Sequence, residues 1–155
     1  MASLAPNLTL FQAVGGDSGV LRLAHAWHRR VLQDEIVAHA FSHGFNPEHT
    51  ARLAAYWSEA WGGSSTYSAQ YGTESSVVRL HSGNGVHEEM DLRAIECFDR
   101  AMEDVQLSDA LLRQVLHDYF AWATTNTMSA YPKSPADVPN KLCIPHWSWN
   151  GLQNQ

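Results

Sequence analysis

Nine histidines in 155 residues supply the first candidates for chemistry. Two of them, His49 and His81, belong to a stretch with a distinct pattern, Phe41 to His81, FSHGFNPEHTARLAAYWSEAWGGSSTYSAQYGTESSVVRLH. His49 falls in the first turn of a helix predicted to start at Asn46-Pro47 and to stop at Gly62-Gly63. Asn caps that start, and Pro at the first helical position gives up no needed donor. His49, Leu53, Tyr56, Trp57 and Ala60 share one face at helical spacing. A polar, Ser-rich loop over residues 64–76 follows. A short apolar run, Val77-Val78-Arg79-Leu80, then delivers His81 ahead of a Gly83-Asn84-Gly85 turn. Two imidazoles on separate elements, with an apolar helix face between them, suit the two sides of a flat apolar cofactor. On spacing alone His81 reads either as a metal ligand or as an exposed loop histidine.

Other side chains offer less. His28 recurs with Leu21, Ala24 and Val31 at spacings of three and four, so it lies on or beside a buried stripe. For both His28 and His49 the alternative is a partly buried histidine bonded to a backbone carbonyl. His39 and His43 sit four apart and form half a metal site if that turn is helical, but no nearby Cys or acidic ligand completes it. Cys97 and Cys143 form no metal-spacing pair, and Cys97 reads as packing. The chain has no Gly-rich phosphate loop and no nucleophile motif.

The elements that must position these residues are all helical. Leu10 to Val14 reads as a short helix ending at Gly15-Gly16, with Asp17 or Ser18 capping the next. That next helix carries Val20, Leu23 and Trp27 one step round from the His28 stripe. Ile36 to Phe41 continues as a short helix that Gly44 ends. A helix from about Glu88 to Val105 aligns Ile95, Phe98, Met102 and Val105. A last one, from Ser108 to about Met128, aligns Leu111, Leu112, Val115, Leu116, Tyr119, Phe120 and Ala123. No sustained alternation or hairpin signal suggests a strand. The expectation is an all-α domain of four longer helices in two packed antiparallel pairs.

Composition bounds the function. The length suits one domain, and 45% hydrophobic content supports a real core. Sixteen acidic residues against ten basic give a net charge of −6 with no run of Lys or Arg, which disfavours nucleic acid and anionic membranes as partners. The first residues, MASLAPNLTL, lack the charge and apolar run of a secretory signal, and no apolar stretch is long enough for a membrane span. A reducing cytoplasm is the expected location. Residues 131–155 change character: Pro132, Pro135, Pro139 and Pro145 forbid a continuous helix, while Tyr131, Trp147 and Trp149 argue against a free tail. We expect one helical domain over 1–130 and a Pro- and Trp-containing extension over 131–155, packed as an extended strap.

RLAAYWSEAWGGSSTYS resembles the segment that marks truncated haemoglobins of the second group, in its Arg-Leu pair, the aromatic three residues after that Leu, the Gly-Gly stop and the Tyr-Ser pair. LFQAVGG near the N-terminus and CFDRAM later fit the same family in the same order, so the resemblance spans roughly residues 10 to 128. It implies a truncated globin, a two-over-two helical sandwich around one haem b, with His81 as proximal ligand. The segment from His81 to Phe98 is a few residues longer than the family's, which keeps His87 as a rival. On the distal side it implies His49, where globins often carry a histidine, and His28, where this group usually has a tyrosine, with Trp27 beside them. Phe98 stands where the group has a pocket tryptophan, and so lacks its N–H donor. Phe41, Leu53, Tyr56 and Trp57 are pocket-lining candidates; Trp27 and Trp57 read as readily as core. Arg52 and Arg79 are candidate partners of the haem propionates or solvated surface arginines, with Tyr67 a further candidate. The implied function is reversible binding of O2, NO and CO, with NO dioxygenase or peroxidase activity through an unidentified reductase. A redox, electron-transfer or gas-sensing haem protein is the alternative, and a monomer or homodimer is expected.

Overall fold

The structure, a computed structural model, describes residues 8–39 and 48–153. Its α-helices are α1 Leu10–Val14, α2 Gly16–Gln33, α3 Glu35–Ala38, α4 His49–Ala60, α5 Thr66–Gln70, α6 Glu74–Leu80, α7 Glu88–Asp104 and α8 Ala110–Ala123. Each of the four long helices brings one aromatic side chain to a common centre: Trp27 from α2, Trp57 from α4, Phe98 from α7 and Phe120 from α8. Phe98 and Phe120 stack at 4.5 Å, Trp57 meets Phe98 edge-on at 5.4 Å, and Trp27 lies 5.6 Å from Phe120 and 6.2 Å from Trp57. Such pairs add about 0.5–1.5 kcal/mol each beyond the area they bury. The centre therefore holds α2 against α4 and α7, and α7 against α8. At the entry, Gly19 is required: a Cβ there would stand 2.2 Å from the Val14 carbonyl oxygen, so only Gly lets α1 fold back onto α2.

The all-helical expectation holds, with corrections of detail. Residues 64–76 are not a loop: they contain α5 and the start of α6. Of the Ser and Thr residues that make the stretch look irregular, Thr73 and Ser76 form a reciprocal capping box at the head of α6. The apolar run before His81 is the end of α6. Neither Asp17 nor Ser18 caps α2; Gly15, at φ 117°, is both the left-handed stop of α1 and the N-cap of α2. Leu21 and Leu111, expected in the core, are 38% and 49% exposed. The true stripes run through Val20, Leu23, Ala24, His28 and Val31 and through Leu112, Val115, Leu116, Tyr119 and Phe120, one step round. The last helix changes to a π turn over Thr124–Met128. The expected helix start at Asn46-Pro47, Phe41, His43 and Gly44 lie outside the described residues.

The C-terminal segment packs on the helices. Trp149 donates from Nε1 to the Leu8 carbonyl at 2.7 Å, and Trp147 lies 5.4 Å from Trp122 and 5.8 Å from Tyr119. Val138 and Ile144 are buried. A two-residue antiparallel pair, β1 Trp147–Ser148 with β2 Gly151–Leu152, is the sheet among the described residues.

Candidate functional site

His81 is the C-cap of α6. Its Nδ1 lies 2.9 Å from the Val77 carbonyl oxygen. A carbonyl can only accept, so Nδ1 carries the proton and Nε2 is left with the ring's lone pair. A histidine held this way, with one nitrogen committed to backbone, is oriented to bind a metal through the other. The residue is exposed at the surface, yet desolvation by the protein atoms crowded around it lowers its pKa, against the Val77 carbonyl, which favours the charged form. The surface beside it is apolar. Leu80, Val86 and Leu92, all within eleven residues of His81, are 81%, 77% and 62% exposed, the highest values among the large hydrophobic side chains described. Three strongly exposed Leu and Val side chains within so short a stretch of chain are unusual for a surface left to water.

His49 and His28 form a tilted ring pair, with centroids 4.7 Å apart. His28 is buried, and its Nδ1 lies 2.7 Å from Thr50 Oγ1. Burial first, then the charges of His49 and His25, push its pKa down to about 3. His49 is partly exposed, and its pKa is lowered by burial, then by His81 and Arg52. His28 thus feels the charge of His49, and His49 that of His81. Trp27 backs this pair at 5.2 Å from His28 and donates from Nε1 to the Ala94 carbonyl at 3.1 Å.

The remaining predicted residues divide. Arg52 sits beside His49, with its guanidinium 5.2 Å above the Tyr71 ring and Nη2 3.4 Å from Glu48. Its Nε is buried with no hydrogen-bond partner among the described residues. Tyr67 is buried against Tyr56 and Tyr71, at 5.4 and 5.7 Å. Leu53 is half-buried against the core. Tyr56, Trp57 and Phe98 lie deeper, almost or wholly buried. Tyr56 donates its hydroxyl to Glu74 at 2.6 Å, which ties α4 to the head of α6. Arg79 points to the C-terminal strap, donating to the Val138 carbonyl at 3.4 Å and to Asn140 Oδ1. The rival His87 caps α7, its Nδ1 2.9 Å from Asp91, which also accepts from Ser129 at 3.0 Å. Sequence reading missed Tyr71 and Glu74. Tyr71 had a signal, four residues after Tyr67 at helical spacing; Glu74 had none, since a lone Glu in a Ser-rich stretch reads as solvated.

Glu74 and His28 give stability opposite pH dependences. Burial raises the Glu74 carboxyl from 4.5 to about 7, so the folded state binds the extra proton and stability falls as pH rises between those values. His28 is lowered from 6.5 to about 3, so the unfolded state binds the extra proton and stability falls as pH drops through that window. Between pH 4.5 and 6.5 the two cancel. Glu74→Gln should remove the cancellation and expose a loss of about 1.4 kcal/mol per pH unit on acidification from pH 6.5. Urea midpoints across pH 4–8 test this; a variant whose profile is parallel to the parent's would refute it.

Two cavities, of about 550 Å³ beside Asp99 and His117 and about 490 Å³ beside Trp61 and Trp147, contain none of the predicted site residues. Among the described residues no group of three His, Cys, Asp or Glu side chains is arranged to hold a metal ion by itself, and no helix is long and apolar enough to cross a membrane.

Comparison with known proteins agrees with this architecture. The structure resembles the group II truncated haemoglobin of Bacillus anthracis, with a TM-score of 0.71 and 17% identity over 83% of this chain and 95% of that one. It also resembles a thermostable haemoglobin from Thermobifida fusca, with a TM-score of 0.64 and 26% identity over 76% of this chain and 94% of that one. In sequence, the chain is 29% identical over 99 residues to the group 1 truncated haemoglobin GlbN of Synechocystis sp., covering 63% of this chain and 72% of the relative. The helical arrangement is that of truncated globins, as the resemblance implied, and the group II assignment agrees with the solved structures. The family description "bacterial-like globin" matches residues 9–126, well over half of the chain, and the chain belongs to the bacterial-like globin family.

Proposed function

We propose that this globin holds one haem b between α4 and α6, with His81 as proximal ligand, and binds O2 and other diatomic gases reversibly. The observation that carries the reading is the Nδ1–Val77 bond, which leaves the His81 Nε2 lone pair uncommitted on a stretch of chain whose Leu80, Val86 and Leu92 are exposed. These residues fit haem chemically: an oriented neutral imidazole, an apolar surface to cover, and at Arg52 a buried Nε still in need of an acceptor such as a propionate. When bound, haem supplies an iron with a position open to a gas and the electron exchange that NO dioxygenase or peroxidase turnover would require. The chain's own residues supply the rest. Trp57 and Phe98 support the site from behind, through the aromatic centre. His49 offers an imidazole on the distal side, and His28, fixed by Thr50, backs it. The lowered pKa of both rings keeps them neutral at pH 7, so an imidazole there retains a lone pair and one N–H donor.

Purified protein titrated with haem should saturate at one per chain and show a Soret band, with a five-coordinate, imidazole-bound ferrous spectrum that shifts on adding CO. A cofactor-free helical interaction protein would give no saturable Soret band, and that result would overturn the reading.

A further inference from the structure

Helix α6 cannot orient His81 unaided. It has seven residues, and isolated helices that short are not stable in water. Its head is fixed to α4 by the Glu74–Tyr56 bond. Among the described residues, the other side-chain hydrogen bonds that tie it laterally come from the C-terminal strap. Ser75 donates from Oγ to the Pro139 carbonyl at 2.8 Å and accepts from the Leu142 amide at 3.0 Å. One helical turn later, Arg79 donates to the Val138 carbonyl and to Asn140. The strap also grips the chain just past the histidine: the Gly83 amide donates to the Tyr131 carbonyl at 3.0 Å and the Gly85 amide to the Pro132 carbonyl at 2.9 Å. At Gly83, with φ 79°, a Cβ would stand 2.8 Å from Pro135 Cδ, so the contact admits only glycine. Ser75 and Arg79 before His81, and Gly83 and Gly85 after it, are thus all bound to residues 131–142.

We infer that residues 131–142 form a positioning strap for His81, acting through Ser75 and Arg79. The inference rests on the proposed proximal role of His81 but also concerns α6 itself. The ring is fixed to α6 by the Val77 carbonyl, so whatever places α6 places Nε2. The strap is long in sequence from the site, and it adds no group to the cofactor; it sets where the imidazole stands. Arg79 accordingly serves the strap in this structure, and Arg52 is the arginine left for a propionate.

The test uses the full chain with Ser75→Ala, Arg79→Ala and the double substitution, beside Ser75→Thr and Arg79→Lys as conservative variants and Trp149→Phe as a control. Trp149 ties the far end of the strap to Leu8 and touches no part of α6 through that bond. In the haem-free chain, amide exchange at residues 77–82 should quicken about tenfold in the double variant, with far-ultraviolet circular dichroism unchanged. In the haem-loaded chain, the ferrous iron–histidine stretching band should shift or broaden in the alanine variants. It should return toward the parent's in Ser75→Thr and Arg79→Lys, and stay unmoved in Trp149→Phe. Unchanged exchange and an unchanged band in a folded double variant overturn the inference. If the parent itself shows no imidazole-bound ferrous spectrum, the proximal assignment fails, and the exchange measurement alone decides whether the strap holds α6. Should the double variant fail to fold, the two single alanine variants carry the same comparison.

Discussion

His81→Gly should remove the imidazole signature from the ferrous spectrum, lower haem retention sharply, and recover a five-coordinate spectrum when imidazole is added. His87→Gly should keep the parent's spectrum. The two histidines lie six residues apart and both have Nδ1 bonded, one to a carbonyl and the other to a carboxylate. Bonding at Nδ1 therefore does not separate them, because a carboxylate partner orients a ligand as well as a carbonyl does. Position does. His81 is the residue whose charge reaches His49, and it stands next to the most exposed leucine described. His87 sits at the head of α7 and is held there by Asp91, which Ser129 holds in turn. Spectra in the presence and absence of imidazole check the assignment. Loss of the imidazole band in His87→Gly alone would reverse it.

Much of the frame was legible because its signals are periodic. The stripes of α2, α4, α7 and α8 follow from apolar residues three and four apart, and the errors at Leu21 and Leu111 are single-step rotations of those stripes. A helix buries an arc rather than a line, so the edge of the arc is set by the neighbouring helix and not by the pattern itself. What failed was local. The stretch from Gly63 to Leu80 is rich in Ser and Thr, which favour loops and helix caps alike. Only the reciprocal Thr73–Ser76 bonds and the burial of Ser75 and Glu74 decide that α6 is a helix. The site was half legible. His28 and His49 could be placed on inward faces from spacing, but Arg79 could not be assigned to the strap, since its partners, Val138 and Asn140, lie some sixty residues away. Nor could spacing tell a pocket wall from the wall's support: Trp57 and Phe98 share helix faces with site residues, yet their rings close the aromatic centre.

The second large effect is expected on the distal side. His49→Leu should speed O2 release about ten- to a hundredfold and CO release much less. The two rings have different surroundings. His49 is partly exposed and within electrostatic reach of His81, whereas His28 is buried behind it, its Nδ1 on Thr50. On the proposed reading His49 is the ring that would donate to a gas, and His28, 4.7 Å away in a tilted ring contact, the one that would steady it. Bound O2 is strongly polarised and CO weakly so. A hydrogen bond to a charged acceptor contributes roughly 1.5–3 kcal/mol, which converts to the stated range for O2. His28→Leu should have a smaller effect of the same sign, because it loosens His49 without removing the donor, and the double variant should match His49→Leu rather than multiply the two. Acidification to pH 5 should leave His28 neutral, since its pKa is lowered to about 3, and the lowered pKa of His49 delays its protonation relative to an ordinary imidazole, which would already be protonating at pH 6. A competing arrangement has His49 itself bind the iron when no gas is present. It predicts a six-coordinate ferrous spectrum that becomes five-coordinate only in His49→Leu, with O2 and CO association both faster in that variant. Stopped-flow dissociation of O2 and CO from the parent, His28→Leu, His49→Leu and the double variant separates these outcomes. Parallel changes in O2 and CO release, or none in any variant, would remove the hydrogen-bond account, because only a polar donor discriminates between the two gases by their charge.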